Sequence, residues 1–443
     1  MTRQSACIKD STTDTKTQKH DAATWLAIAG LTLLCVNPAY TQGENCKNLL
    51  LATAMTLSPL VLLLRRARVF IPRIDIPLCL VCMSVIAFPV IFHPASVRWI
   101  TMLFTCACCV YFMMLARLVR IADLSPALLC RLIKTIIYAF AAVLVVQQIC
   151  LVCGFPIFNE AKVYPMAPFK LNSLTAEPSH TSVTLGALMY FYTQTRRIES
   201  PHTGLLSELK KHGPVWACWF WCMFSPVNAS AYMLAPLSLL PYLTLRNSPY
   251  WITAGIAAAI IFFTFPYGIS WTADRLRKTT IAVATLDDRA ILEADSSAAS
   301  RIVPTLRGAK AIDITKSDAW SGHGTDADQR DIRRRPCDED GKGFAGIFSM
   351  PYNYGVPCAL AFWWAIAAVT LTRKRWLSVV TFAFAMQMSA EHNMQLVWMI
   401  LAFSMVFKYD VCRSRSLLAP LPLSRTSKNI QTPGTRSSNE KKY

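Results

Sequence analysis

Residues 76–116 read IPLCLVCMSVIAFPVIFH (76–93), PASVR (94–98) and WITMLFTCACCVYFMMLA (99–116), and this stretch decides the fold class. Each long run lacks Asp, Glu, Lys and Arg, whereas the turn between them carries Arg98. A helix needs about 20 apolar residues to cross the hydrocarbon core of a bilayer. The stretch therefore predicts two consecutive membrane-spanning helices joined by a short turn.

The composition of the whole chain favours the same class. Of its 443 residues, 53% are hydrophobic and 16% are charged, and the mean hydropathy is +0.34. Soluble domains carry about 25% charged residues, so the composition excludes an ordinary water-soluble enzyme. The net charge of +19 does not indicate a nucleic-acid binder, because the basic residues of polytopic proteins collect on the cytoplasmic side of the membrane.

Similar apolar stretches recur along the chain and predict an all-α, polytopic transmembrane bundle of about 12 spans. They are 22–40, 48–64, 76–93, 99–116, 135–153, 179–195, 214–226, 229–245, 249–269, 354–372, 376–390 and 393–408. Spans 1–9 thus fall within 22–270 and spans 10–12 within 354–408. Between them we expect one long periplasmic loop, 271–353, that holds short helices. The ends, 1–21 and 409–443, are predicted cytoplasmic tails.

Nineteen basic residues of the short connections fall on one side of this topology. They follow the even-numbered spans: Arg65, Arg66, Arg68, Arg73, Arg117, Arg120, Arg131, Lys134, Arg196, Arg197, Lys210, Lys211, Arg246, Arg373, Lys374, Arg375, Lys408, Arg413 and Arg415. Loops rich in Lys and Arg stay in the cytoplasm. We therefore expect both termini to be cytoplasmic and the segments 154–178 and 271–353 to be external.

The sharpest local motif is Glu177-Pro178-Ser179-His180, where the first external segment enters the sixth span. Proline suits the first turn of a helix, so the span is expected to begin there with the positive end of its dipole outward. Such a terminus suits an anionic group such as a diphosphate. The alternative is that Glu177 and Ser179 only cap the helix and that His180 lies among the lipid headgroups.

Three sets of arginines stand in the long loop. Arg275 and Arg277 follow the ninth span, Arg301 and Arg307 follow the small-residue run 296–300, and 333–335 is an arginine triplet read as solvated loop. A guanidinium group can donate two parallel hydrogen bonds to two oxygens of a phosphate. The first two sets are therefore candidates to bind a lipid diphosphate. Headgroup anchoring is the alternative for Arg275 and Arg277.

A histidine flanked by glycines follows in the same loop, in Gly322-His323-Gly324. An exposed imidazole titrates near neutral pH and is a candidate base. The alternative is an inert loop histidine.

Together these features resemble the O-antigen polymerase and O-antigen ligase superfamily of bacterial inner membranes. Glu177-Pro178-Ser179 is similar to the Glu-Pro-Ser motif of its polymerases, and Asn228-Ala229-Ser230 occupies the place of the family's Ser-rich turn. Ser300-Arg301 followed by Gly322-His323-Gly324 resembles the periplasmic loop, and Asn353-Tyr354-Gly355-Val356 resembles the closing segment. The resemblance covers about residues 25–410.

The resemblance implies glycosyl transfer from an undecaprenyl-diphosphate-linked glycan on the periplasmic side, without a cofactor, nucleotide sugar or obligatory metal. Glu177 and His323 are then the candidate catalytic residues, and Arg275, Arg277 and Arg301 the candidate diphosphate ligands. Ser179, His180 and Arg307 are further candidates. The expected partners are the lipid-linked oligosaccharide and membrane lipids, with a chain-length regulator left open, and no nucleic acid.

Three other functions remain open from the sequence. An O-antigen ligase would transfer the glycan to the lipid A core instead of to a second repeat unit. A transporter is the competing class, because twelve spans with internal termini is also a common transporter plan. A non-catalytic scaffold for polysaccharide assembly is the third.

Overall fold

The computed structural model describes residues 22–38, 48–122, 124–159, 169–201, 203–226, 229–242, 271–285, 287–294, 296–328, 346–371 and 395–411, with the single residues 249, 253 and 330. Across these ranges the chain is helical and contains no β-strand. The α-helices are α1 (Ala22–Cys35), α2 (Leu49–Leu57), α3 (Pro72–Phe92), α4 (Trp99–Ala122), α5 (Pro126–Cys153), α6 (Pro178–Glu199), α7 (Leu205–Lys211), α8 (Gly213–Phe224), α9 (Ala229–Leu239), α10 (Trp271–Thr285), α11 (Asp288–Ala294), α12 (Ser296–Ala311), α13 (Ser317–Ser321), α14 (Gly346–Thr370) and α15 (Gln395–Val406).

Four of the described helices are long and apolar enough to cross a membrane: α3, α4, α5 and the Ile347–Thr370 part of α14. Shorter apolar helices occupy Ala22–Cys35, Leu49–Leu63 and Gln395–Tyr409. The prediction of a helical protein is confirmed for the described residues, and these four helices are compatible with a membrane protein; the twelve spans stay a prediction. The predicted spans 249–269 and 376–390, except for residues 249 and 253, and the predicted tails, except for 409–411, lie outside the described residues.

Two helices differ in length from the predicted spans for reasons that the local sequence supplies. Helix α1 ends at Cys35, five residues before the predicted end, because Asn37 precedes a proline and is disfavoured in a helix. Helix α5 begins at Pro126, nine residues before the predicted start. There Ser125 is the N-cap, and its hydroxyl accepts a hydrogen bond from the N–H of Leu128 at 3.2 Å.

The helices give the bundle two distinct ends. We call the end that contains His93, Glu177 and Tyr352 the upper end, and the end that contains Arg117 and Lys408 the lower end. The ammonium of Lys408 donates to the carbonyls at the end of α14, at 2.6 and 2.8 Å, which marks the lower end. The amide of Gln395, at the start of α15, donates to the last carbonyls of α1, which marks the upper end.

Helix α6 runs toward the lower end and is largely buried, although it is not strongly apolar. It packs against α5, α8, α9 and α15, and every residue from 181 to 195 is buried. Several of its hydroxyls donate to nearby carbonyls: Thr195 donates to Phe191 at 2.8 Å and Thr193 to Ser238 at 3.1 Å. Buried polar groups need such partners, so α6 is suited to a protein interior and not to lipid.

The segment predicted as the long loop contains the helices α10 to α13 and the first turns of α14. Helices α10, α11 and α12 enclose a small apolar cluster of their own, formed by Ala282, Ile291, Ala299 and Val303. Helix α12 begins at Ser296, the first residue of the small-residue run 296–300. Helices α12 and α13 both contact α14. The segment is therefore packed on the bundle through α14.

Candidate functional site

Glu177 stands at the N-terminus of α6, at the upper end. Its backbone is extended (φ −142°, ψ 150°), and Pro178 occupies the first helical position, as the motif predicted. The carboxylate does not cap the helix, because it accepts no hydrogen bond from the first-turn N–H groups. The side chain is exposed, and its Oε2 accepts a hydrogen bond from the hydroxyl of Ser179 at 3.2 Å. The capping alternative for Glu177 is therefore not what the geometry shows.

A buried polar network fixes the turn that carries Glu177. The carbonyl of Asn172 accepts from the hydroxyl of Thr181 at 2.6 Å, and the hydroxyl of Thr175 donates to the carbonyl of Glu177 at 2.7 Å. The side-chain amide of Asn159 donates to the carbonyl of Thr175 at 3.1 Å. These bonds join three parts of the upper end, so the position of Glu177 is set by buried groups.

Gln147 supports the same turn from α5. Its side-chain oxygen accepts from the N–H of Ser173 at 2.9 Å, and its amide donates to the carbonyl of Phe158 at 2.7 Å. Ser173 has a positive φ of 50°, which a serine tolerates only when such contacts hold it. Sequence reasoning missed Asn159, Asn172 and Ser173. The only signal for them is the run of turn-forming residues just before Glu177.

His323 lies flat against an aromatic ring of α14. The imidazole and the Tyr352 ring are 4.1 Å apart between centroids, with 8° between their planes. The His323 backbone N–H donates to the carbonyl of Tyr352 at 2.9 Å, and the ring Nδ1 is 3.2 Å from the same oxygen. A carbonyl only accepts, so Nδ1 carries the proton in this contact and Nε2 is the acceptor nitrogen. That tautomer is the one that a base at Nε2 requires.

Three glycines allow the His323 segment to approach α14. Gly355 breaks the helical geometry of α14 with φ 82° and ψ 161°, a conformation almost confined to glycine. Gly322 also has a positive φ, of 73°, and a Cβ added to it would lie 2.5 Å from the carbonyl oxygen of Asn353. Gly324, with φ 96°, lies as closely against Ser96. The two glycines of the Gly-His-Gly motif therefore allow the backbone to pack closely against Asn353 and Ser96.

Two aspartates complete the attachment of this segment. Asp328 and Asn353 exchange two hydrogen bonds, from the Asn353 amide to the carboxylate at 2.9 Å and from the Asp328 N–H to the amide oxygen at 3.0 Å. The carboxylate of Asp326 accepts from the hydroxyl of Thr101 at 3.0 Å and lies 3.3 Å from the guanidinium of Arg98. The hydrophilic segment thus contacts α14 on one side and the start of α4 on the other.

The predicted arginines are described to different extents. The side chains of Arg275 and Arg301 lie outside the described residues, although their backbones are helical in α10 and α12. Arg277 is half-buried, and its Nε is buried without a hydrogen-bond partner within the described part of the chain. Arg307 is half-buried in α12. The triplet 333–335 and Asn228 of the predicted Ser-rich turn are not described.

The structure places Glu177, Ser179, His180 and His323 at the upper end of the bundle, but it does not join Glu177 to His323. Ser179 and His180 are half-buried in the first turn of α6, beside Glu177. The hydrogen bonds and the ring contact of His323 are made with Tyr352, not with Glu177. Helix α10, which carries Arg277, contacts α9, and α9 packs against α6. The upper end thus carries the Glu177 carboxylate and the His323 imidazole on different elements, while Arg277 lies on a helix that contacts α9.

No protein-family model matches this chain, and no curated protein is significantly similar to it in sequence. The motifs and the geometry described above are therefore the basis for assigning a function.

Proposed function

We propose that the chain is a twelve-span inner-membrane glycosyltransferase that polymerises undecaprenyl-diphosphate-linked oligosaccharide repeat units at the periplasmic face. The product would be O-antigen, capsule or exopolysaccharide. One observation carries the proposal: a hydrophilic segment, 320–328, is bound over the same end of an apolar bundle at which Glu177 stands exposed. Glycosyl transfer between two lipid-borne substrates needs polar groups gathered at one membrane surface.

The reaction has a simple balance of bonds and charges. A hydroxyl of the acceptor sugar attacks the anomeric carbon of the donor, and the bond from that carbon to the lipid diphosphate oxygen breaks. The hydroxyl proton passes to Glu177 or to Nε2 of His323, and the electron pair of the broken bond stays on the diphosphate. A base within hydrogen-bond reach of the hydroxyl and cations beside the leaving group both lower the barrier.

The surroundings of each candidate support its role in this scheme. The carboxylate of Glu177 is exposed at the N-terminus of α6, where it can accept the hydroxyl proton of an acceptor sugar. The hydrogen bond from Nδ1 of His323 to the Tyr352 carbonyl leaves Nε2 as acceptor. The buried Nε of Arg277 suits a phosphate oxygen, and Arg275, Arg301 and Arg307 are further candidates on the same segment.

The topology of the proposal is supported by the distribution of charge. Arg66, Arg117, Arg120 and Lys408 lie at the lower end, which corresponds to the cytoplasmic side of the predicted topology. The upper end is then periplasmic, where the lipid-linked repeat units of this class of reaction are presented. Both chain termini are cytoplasmic in this arrangement.

The residue assignments are tested by single substitutions in cells. Glu177→Ala, Arg301→Ala and His323→Ala are expected to abolish or shorten long-chain polysaccharide at unchanged protein levels in the membrane. Glu293→Ala and Arg289→Ala, at exposed positions of α11, are matched controls and should leave chain length unchanged. Wild-type chain length in all three test variants would overturn the site.

The molecule to which the glycan is transferred needs a separate test, because a polymerase and a ligase differ in this acceptor. Purified protein is given lipid-linked repeat units with and without lipid A core. A polymerase extends the repeat units in both mixtures. A product that forms only when the core is present would replace the polymerase proposal with a ligase.

A further inference from the structure

The lower end of the bundle holds a cavity that the proposed reaction does not use. It has a volume of about 270 Å³ and lies between the 3₁₀ turn Arg65–Arg68, the start of α3 and the end of α4. Its lining consists of three arginines and three aliphatic residues: Arg66, Arg117, Arg120, Val69, Ile71 and Ile121. A cavity with several guanidinium groups is a candidate site for an anion.

Arg117 is the buried member of this group. Only 9% of the residue is exposed, and its guanidinium binds Asp75 through two hydrogen bonds, at 2.9 and 2.7 Å. It also donates to the carbonyl of Met113 at 2.8 Å. Of its other donors, Nε is buried and has no hydrogen-bond partner within the described ranges.

The net charge around the cavity remains positive when the charges of the buried pair, Asp75 and Arg117, cancel each other. Asp75 neutralises Arg117, and its carboxylate also accepts from the N–H of Ile71 at 2.6 Å. Arg66 and Arg120 make no hydrogen bond or ion pair with any residue that the structure describes, and both are exposed at the mouth of the cavity. Two guanidinium groups are thus available at the mouth, and Arg117 contributes to the lining.

The apolar side of the cavity indicates the kind of anion. Val69 is 46% exposed and the adjacent Phe70 is 56% exposed, so the rim of the cavity continues into an apolar surface. The phosphate group of a phospholipid would bind the arginines while its acyl chains cover the apolar rim. A free anion would bind the arginines alone. Basic pockets between helices on the cytoplasmic side are the kind of site at which anionic lipids bind.

We propose that this cavity binds a phosphate group, with Arg66 and Arg120 as ligands at the mouth, and that an anionic phospholipid supplies the phosphate. The site lies at the opposite end of the bundle from Glu177, and the inference does not depend on the proposed reaction.

The test is thermal unfolding of the purified full-length chain in neutral detergent. One arm adds phosphatidylglycerol, one adds phosphatidylcholine, and one adds inorganic phosphate. Phosphatidylglycerol should raise the unfolding temperature, and phosphatidylcholine should not. Arg66→Gln and Arg120→Gln should each weaken the response roughly tenfold in lipid concentration, as expected for loss of one charge-assisted hydrogen bond.

Arg65→Gln is the matched control, because it removes the same charge from the same turn and does not line the cavity. It should keep the wild-type response. If inorganic phosphate alone raises the unfolding temperature as much as phosphatidylglycerol does, the cavity binds phosphate but a lipid is not its source. No rise in any arm, or an equal loss in Arg65→Gln and Arg66→Gln, would overturn the site.

Discussion

The imidazole of His93, at the end of α3, donates a hydrogen bond from Nε2 to the carbonyl of Gly322 at 2.7 Å. The two residues are separated by 229 positions in the sequence. One belongs to a long apolar helix and the other to the hydrophilic segment that precedes α14. The bond therefore attaches the hydrophilic segment to the upper end of the bundle, and the account of the candidate site depends on this attachment.

The glycine contacts predict that the attachment has no room for a side chain. Gly322→Ala should lower the free energy of unfolding by more than about 2 kcal/mol, because it adds strain at a positive φ and a clash with Asn353. Gly213→Ala is the control: its Cβ would meet no atom within 4 Å, and it lies in the first turn of α8. Unfolding in detergent compares the two. An equal effect would contradict the close packing described here.

The stacking of His323 on Tyr352 predicts a positioning role for the tyrosine. Tyr352→Leu removes the ring but keeps the backbone carbonyl that orients Nδ1, so activity should fall severalfold without vanishing. Tyr352→Phe keeps the ring and should restore wild-type activity. The measurement is polysaccharide chain length together with the pH dependence of the rate. A loss in Tyr352→Phe as large as in Tyr352→Leu would show that the stacking is not what matters.

The buried ion pair of Asp75 and Arg117 predicts a strong coupling between the two positions. Removing one partner leaves a buried charge, so Asp75→Leu alone should cost about 3–5 kcal/mol of stability. The double variant Asp75→Leu with Arg117→Met should recover most of this loss, because neither charge remains. Unfolding of the wild type, both single variants and the double variant gives the coupling. Additive losses would contradict a direct pair.

The cluster of Arg196, Glu208 and His212 predicts a stability that depends on pH. The guanidinium donates to Nε2 of His212 at 2.9 Å and to the buried Glu208 carboxylate at 3.0 Å. Burial lowers the pKa of His212 below its ordinary value of 6.5; Glu208 opposes this change and Arg196 adds to it. The unfolded chain then binds more protons than the folded chain just below pH 6.5, so stability falls as pH falls through that range.

His212→Gln is expected to remove this part of the pH dependence. The glutamine oxygen still accepts from Arg196 but does not titrate. Unfolding temperatures of the wild type and the variant between about pH 5 and 8 test the idea, because the wild-type curve should approach the variant curve above pH 7. Parallel curves across the range would contradict a role for His212.

The orientation of the bundle predicts which positions react with a membrane-impermeant thiol reagent. The chain has 16 cysteines, so the experiment begins from a variant in which they are replaced. Lys316→Cys, at a side chain that is 72% exposed in the hydrophilic segment, should be labelled in intact spheroplasts. Leu206→Cys, 75% exposed between α6 and α8, should be labelled only after permeabilisation. The reverse pattern would refute the topology.

Local sequence predicts much of the helical framework. The charge-free runs 76–93 and 99–116 correspond to α3 and α4, and Pro178 marks the start of α6 because its ring suits a first helical turn. The motifs Gly322-His323-Gly324 and Asn353-Tyr354-Gly355-Val356 can also be recognised in the sequence. Patterns of this kind depend only on near neighbours in the chain.

The pairing of distant residues is not predictable in the same way. Asp75 and Arg117 are 42 positions apart, and nothing in either local pattern indicates that they form a buried pair. The close approach of Gly322 to α14 requires the break at Gly355, which becomes visible only when the two segments are packed together. The turn before Glu177 likewise depends on Gln147, an isolated polar residue in an apolar helix.

The central claim is tested most directly by reconstitution. Purified protein is placed in liposomes with undecaprenyl-diphosphate-linked repeat units from the cells that make it, and the products are separated by length. The account predicts a ladder of extended glycans with the wild type and starting units only with Glu177→Gln, while both proteins unfold at the same temperature. A folded wild type that extends nothing, or a Glu177→Gln variant that makes the same ladder, would contradict it.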